Sequence, residues 1–189
     1  MGRRMILAAI LGGLALFVWG ALSHMVFQLG DHGMRTFGAN EPQVAAALKA
    51  GASEHGLYFV PGLEPAKQKD DAARSAWEAK LREGPYAMVV VKPDGAEPMS
   101  PMQLVREFGT SVGLALIAVF LIVVAGGLSG AVARVVFCAL LSLFGLLQHD
   151  VRFWNWYLFP GDFTGAQFAD KLIGGVVLGL VIHLVLRKR

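Results

Sequence analysis

An uncharged apolar stretch of 26 residues, Phe108 to Ala133, constrains this chain more than any other feature. About 20 helical residues cross the roughly 30 Å hydrocarbon core of a bilayer. The preceding residues Ser100, Pro101 and Gln103 have the pattern of a helix start, because serine caps, proline suits the first helical position and glutamine completes a capping box. The pattern predicts a helix that begins in water and crosses a membrane over residues 104–127.

Three other apolar stretches predict three further transmembrane helices. The first, residues 5–27, contains no formal charge. The third and fourth, residues 131–149 and 166–186, are long enough to span if polar residues at their ends reach the bilayer surface. The predicted fold class is therefore all-α membrane protein, with four transmembrane helices.

Two alternatives remain open for these stretches. Residues 5–27 also resemble a cleaved signal peptide, with Ala21–Ser23 as its cleavage site, although the apolar part is long for that purpose. We favour an uncleaved anchor. The alternative for residues 131–186 is a partly re-entrant hairpin in place of two full spans.

Composition excludes several classes of protein. Hydrophobic residues make up 55% of the chain and charged residues 16%. In a soluble domain, apolar residues make up about 45–50% and charged residues about 25%. A soluble globular enzyme and a disordered chain are both excluded. The single cysteine, Cys138, excludes an intrachain disulfide and a cysteine-based metal cluster.

Charge distribution predicts the orientation in the membrane. With four spans and a cytoplasmic N terminus, six basic residues and no acidic residue fall on the cytoplasmic side, as the positive-inside rule requires. These residues are Arg3, Arg4, Arg134, Arg187, Lys188 and Arg189. These six residues explain the basic isoelectric point, so the charge does not indicate a nucleic-acid partner. The same orientation places residues 28–103 outside the cytoplasm.

The segment 28–103 is predicted to be a small extracytoplasmic α/β insertion between helices 1 and 2. Its pattern indicates a helix from Asn40, a strand over 56–62, a helix over 70–83 and a strand over 86–91. A right-handed strand–helix–strand unit fits this order. So small a core is marginally stable alone, so we expect it to lean on the bilayer, the spans or a partner.

Histidines and acids recur near the predicted outer ends of the spans. Four of them, His24, His149, Asp150 and Asp31, form a speculative metal site, because imidazole with carboxylate suits zinc, copper or iron. A haem held by the two histidines is a further alternative. The interpretation that we favour is that these groups mark helix ends and bond to headgroups, water or each other. No cofactor is therefore predicted.

Two other groups of residues stand out. Asp170 and Lys171 form a speculative intramembrane ion pair on a proton or polar-substrate path. Three aromatic residues, Trp154, Trp156 and Tyr157, are predicted to lie at the membrane interface within an outer turn over 150–165.

Several short segments together resemble small bacterial multi-span inner-membrane proteins of unassigned function. They are Trp19–Met25, Tyr58–Gly62, Gly84–Tyr86, Trp154–Tyr157 and Phe159–Pro160. The resemblance implies a bacterial inner membrane and four spans. It carries no activity and no catalytic residues.

The leading functional hypothesis is an accessory or scaffold membrane protein without a catalytic site, whose extracytoplasmic segment contacts a membrane or envelope protein. One alternative is a membrane enzyme or a metal- or haem-binding protein that uses the outer histidines and acids. A third is a small transporter, which four spans per chain would require to be a homo-oligomer. The lipid bilayer is the remaining expected partner.

Overall fold

The computed structural model describes residues 2–187. The chain divides into two compact units, which are described separately. The helical unit comprises the described residues of 1–34 and 99–189, and the polar unit comprises Arg35–Pro98. The regular elements are α1 (Gly2–Ala21), α2 (Glu41–Gly51), β1 (Gly56–Val60), α3 (Asp71–Glu83), β2 (Ala87–Val91), α4 (Pro101–Val124), α5 (Ala131–Gln148), α6 (Asp150–Tyr157) and α7 (Gly161–Leu186).

The four predicted spans correspond to four helical segments that are long and apolar enough to cross a membrane. They are Gly2–Val26, Pro101–Val124, Ala131–Tyr157 and Gly161–Leu186. The predicted start of α4 is confirmed in detail. The Ser100 hydroxyl accepts from the backbone N–H of Gln103, and the Gln103 side chain accepts from the backbone N–H of Ser100. This reciprocal capping box satisfies two backbone donors that would otherwise lack partners.

The long helices pack in the order α4, α1, α7, α5. α1 lies between α4 and α7, whereas α5 is attached to the bundle mainly through α7. Small residues set the close approach of α5 and α7. A Cβ atom at Gly175 would lie 2.5 Å from Ser142 Oγ, and one at Gly179 would lie 2.6 Å from Val135 Cα. Gly175 and Gly179 form a GxxxG pattern, which here allows two helices of one chain to pack closely together.

The outer surface of the helical unit is apolar. The core is thin and includes the fully buried residues Val119, Ile122 and Ile182. Large apolar side chains elsewhere on the same helices are exposed, among them Val132 at 77% and Phe144 at 63%. Surfaces of this kind are suited to lipid rather than to water.

The start of α1 and the residue that follows α7 lie at the same end of the helical bundle. Arg4 near the start of α1, the glycine turn over 126–130 that links α4 to α5, and Arg187 beyond α7 surround one cavity. We call this the basic end. Gly126, Gly127 and Gly130 of the turn have φ values of +81°, +87° and +87°, which glycine adopts without steric cost.

The segment 150–165, predicted as an outer turn, is mostly helical, because only residues 158–160 lie outside α6 and α7. Residues Asp150–Tyr157 form the helix α6, which follows α5 almost directly through His149. Aromatic residues spaced along this helix contact one another, since the rings of Phe153 and Tyr157, four residues apart, have centroids separated by 5.1 Å. The aromatic residues of this segment are therefore spaced as on one side of a helix, and the segment folds as a helix rather than as a turn.

The polar unit contains the predicted order of helix, strand, helix and strand, but the strands pair differently from the prediction. β1 and β2 are antiparallel, with Val60 opposite Ala87 and Gly56 opposite Val91. The expected right-handed strand–helix–strand unit requires parallel strands and is therefore wrong. Because β2 begins opposite the last residue of β1, the segment that contains α3 leaves and re-enters the sheet at the same end.

Local contacts hold α3 in the polar unit. The Asp70 side chain caps the helix by accepting hydrogen bonds from Ala72 N at 2.9 Å and Ala73 N at 3.1 Å. The indole N–H of Trp77 donates to the carbonyl of Pro61, just beyond β1, at 3.0 Å. This side-chain bond links the helix to the sheet.

One face of the two-stranded sheet carries an exposed apolar pair. Leu57 and Val90 are directly opposite each other across the strands. Leu57 is 54% exposed and Val90 is 70% exposed. Alternate residues of a strand share a face, so the opposed pair of Phe59 and Met88 belongs to the same face, where Met88 is half-buried. We call Leu57 and Val90 the open sheet face.

Candidate functional site

Charged and imidazole side chains from three parts of the helical unit meet at the end opposite the basic end. α1 and its π-helical extension contribute His24, the junction of α5 and α6 contributes His149 and Asp150, and α7 contributes Asp170 and Lys171. We call these five residues the polar cluster. The sequence predicted that His24, His149, Asp150 and Asp170 lie at one depth, and it paired Asp170 with Lys171. In the structure the five side chains form two sets of contacts, which meet at the consecutive residues Asp170 and Lys171.

The strongest contact in the polar cluster joins α7 to the junction of α5 and α6. Lys171 Nζ lies 2.8 Å from Asp150 Oδ1 and 2.6 Å from Asp150 Oδ2. Asp150 is only 7% exposed, whereas the Lys171 side chain is 37% exposed. A buried carboxylate requires a compensating charge, and the ammonium group supplies it.

Asp170 connects α7 to α1 through both its backbone and its side chain. Its carbonyl oxygen accepts a hydrogen bond from the Trp19 indole N–H at 3.0 Å. Its Oδ2 lies 3.8 Å from His24 Nε2. Its Oδ1 is buried and has no hydrogen-bond partner among the described residues. Buried polar atoms rarely lack partners, so this oxygen is unusual among the polar atoms of the cluster.

The position of His24 depends on the turn that follows it. The chain forms a π-helical turn over Leu22–Val26 and then a 3₁₀ turn over Leu29–Asp31. A Cβ atom at Gly30 would overlap the ring of His24. The absence of a side chain at Gly30 therefore makes room for the imidazole.

His149 occupies the other side of the polar cluster. Its Nδ1 lies 3.7 Å from Asp150 Oδ1. Its ring stacks on Phe153 with a centroid separation of 4.4 Å. The imidazole is held by one aromatic face and one carboxylate, while the side chain stays 65% exposed.

Not all of the predicted site residues join the polar cluster. The side chain of Asp31 forms no ion pair or hydrogen bond with any residue of 2–187. The speculative pair of Asp170 with Lys171 does not form, because consecutive helical residues point about 100° apart; Lys171 pairs with Asp150 and Asp170 lies near His24. Trp154, Trp156 and Tyr157 lie on α6 and are 51%, 74% and 38% exposed.

Two residues of this region were not identified from the sequence. Trp19 donates to Asp170, and Gly30 gives space to His24. A signal for Trp19 existed, because an indole N–H within an apolar span needs an acceptor. No local signal identifies Gly30, since its role depends on the fold of the turn.

The polar cluster has the groups to bind a proton or a cation. With neutral imidazoles, its two carboxylates and one ammonium give a net charge of −1. No group of three or more His, Cys, Asp or Glu side chains within residues 2–187 is arranged to hold a metal ion. The contacts that do exist join α7 to α1 with its π-helical extension and to the start of α6.

Comparisons with protein-family models, with curated proteins and with solved structures find no match to this chain.

Proposed function

We propose that this chain is an integral membrane accessory or scaffold protein of the bacterial inner membrane, and that its polar unit binds an extended apolar segment of a membrane or envelope protein. In the proposed orientation, both termini are cytoplasmic and the polar unit is extracytoplasmic. The observation that carries the proposal is the open sheet face, where Leu57 and Val90 are paired and exposed.

The chemistry of the open sheet face supports a protein partner. An exposed apolar surface on an otherwise polar unit is typical of an interaction site. Within the described residues the sheet has only two strands, so each strand has an outer edge whose backbone groups can pair with a third. Extended peptides commonly bind by adding a strand to such an edge, and alternate side chains then fill apolar sites on the face.

The charge of the polar unit fits the same proposal. Residues 35–98 contain nine acidic and eight basic residues. So small a net charge gives little long-range attraction to nucleic acid or to an anionic membrane surface. Apolar contacts and backbone hydrogen bonds are therefore expected to provide the affinity for the partner.

Site-specific photo-crosslinking in cells that make the full chain tests this proposal. A photoreactive phenylalanine analogue replaces Val90 in one variant and Gln68, an exposed residue of the same unit, in the control. We expect one discrete protein adduct from position 90 and none from position 68. The absence of a protein adduct at position 90, or equal adducts at both positions, would overturn the proposal.

A second function, metal handling at the polar cluster, is favoured by one observation. The unpartnered Asp170 Oδ1 and the nearby imidazole of His24 are two ligand types that first-row metals accept. Metal analysis of the purified protein tests this function. Stoichiometric metal that is lost in His24→Ala and kept in His55→Ala would support it, and metal-free protein after incubation with zinc would exclude it.

A further inference from the structure

A cavity of about 800 Å³ opens at the basic end of the helical unit. Three arginines and a histidine line it, namely Arg4, Arg134, Arg187 and His183, and no acidic side chain of residues 2–187 does so. Small-molecule pockets commonly have volumes of about 300–1,000 Å³. The cavity therefore combines sufficient size with an uncompensated positive charge.

Arg134 is held in position by the glycine turn. Its Nε donates to the carbonyl of Leu128 at 2.9 Å, and its Nη2 donates to the carbonyl of Gly127 at 3.0 Å. A guanidinium has five N–H donors, so three remain for a ligand after these two bonds. A cation fixed in this way binds an anion without first having to be ordered.

His183 adds a polar side chain to the wall of the cavity. Its Nδ1 is buried and has no hydrogen-bond partner within the described part of the chain. An imidazole can donate a hydrogen bond to an anion in either of its protonation states, so its presence beside the arginines agrees with an anionic ligand.

The remaining walls indicate what kind of anion fits. Apolar residues that are partly exposed, including Val123 and Leu186, line the cavity beside the cations. An inorganic anion gains nothing from apolar walls, whereas a phospholipid offers both a charged headgroup and an acyl chain. Basic pockets between transmembrane helices are known to bind anionic headgroups. We propose that this cavity binds the phosphate headgroup of an anionic phospholipid, with part of its acyl chain along Val123 and Leu186.

Lipid binding by the full chain in detergent, measured by native mass spectrometry, tests the proposal. The probes are phosphatidylglycerol, phosphatidylcholine and inorganic phosphate. We expect phosphatidylglycerol to bind at least tenfold more tightly than phosphatidylcholine, and millimolar phosphate to displace little of it. Equal affinity for the two lipids, or full displacement by phosphate, would overturn the assignment to an anionic lipid.

Two neighbouring arginines provide a matched pair of variants. Arg4 lines the cavity and Arg3 does not, although both are exposed in the first turn of α1. Arg4→Gln should weaken phosphatidylglycerol binding about fivefold, and Arg3→Gln should leave it unchanged. Arg134→Gln should weaken binding further, and its melting temperature shows whether it is still folded. Equal effects of Arg3→Gln and Arg4→Gln would contradict a site in this cavity.

Discussion

Lys171 contacts both carboxylate oxygens of Asp150, and so joins the middle of α7 to the start of α6 through a carboxylate that is 7% exposed. The adjacent residue Asp170 contacts α1 instead. Two consecutive residues of one helix thus connect it to two different neighbours.

Removal of the ammonium group of Lys171 should destabilise the helical unit strongly. Lys171→Met leaves Asp150 buried without a compensating charge, which typically costs about 3–5 kcal/mol. Unfolding of the detergent-solubilised protein by heat or by sodium dodecyl sulfate measures the change. Lys67→Met, which removes an exposed partner of Glu64, should change stability by at most about 1 kcal/mol.

The double variant Asp150→Asn with Lys171→Met gives a sharper test of the same ion pair. Because the uncompensated charge is then absent, the double variant should be more stable than Lys171→Met alone. Equal stability of the single and double variants would show that Lys171 acts by packing rather than by charge.

The close contact between α5 and α7 should not tolerate even one methyl group. A Cβ atom at Gly179 would lie 2.6 Å from the backbone of Val135, so Gly179→Ala should cost about 1–3 kcal/mol through overpacking. Gly113→Ala is the control, since a Cβ atom at Gly113 meets nothing within 4 Å. It should be neutral or stabilising by up to about 1 kcal/mol. The same unfolding assay compares them, and a neutral Gly179→Ala would contradict the packing described.

The N-cap of α3 provides a test in the polar unit. Asp70→Ala removes the acceptor for two backbone N–H groups and should destabilise the helix by about 1 kcal/mol. Hydrogen exchange of the full chain should become faster at the start of α3. Asp71→Ala is the control, because its side chain is 92% exposed and pairs only with Arg74 among the described residues. Equal acceleration by both variants would show that loss of charge, and not of the cap, is responsible.

The proposed orientation can be tested by cysteine labelling, because the natural cysteine, Cys138, is buried. Gln68→Cys should react in intact cells with a maleimide that cannot cross the membrane. Ser129→Cys, in the turn at the basic end, should react only after the cells are made permeable. The opposite pattern would reverse the proposed orientation.

Features that depend on local sequence were predictable. The apolar stretches predicted four membrane-spanning helices, and Ser100 with Gln103 predicted a capping box that the structure contains. Glu78 and Arg82 are four residues apart on α3, a spacing that favours an ion pair, and Arg82 Nη2 lies 3.0 Å from Glu78 Oε2. Helix periodicity and capping involve neighbouring residues, so the sequence alone is sufficient for them.

Features that depend on long-range packing were not predictable in the same way. Lys171 had two acids available, one adjacent in the chain and one 21 residues earlier, and only the packing of α7 against α5 and α6 selects Asp150. The direction of β2 depends on the path of the chain between the strands, which no residue pattern encodes. The basic cavity depends on four helix ends meeting at one place, although the basic residues around it were each identified.

The packing order of the long helices has a consequence for biosynthesis. α1 and α4 can form their contact as soon as both have left the ribosome, whereas α5 finds its main partner only in α7, which follows it in the chain. A nascent chain that ends before α7 therefore holds a paired hairpin and one unattached span. We therefore expect α5 to join the bundle only when α7 has been inserted beside it.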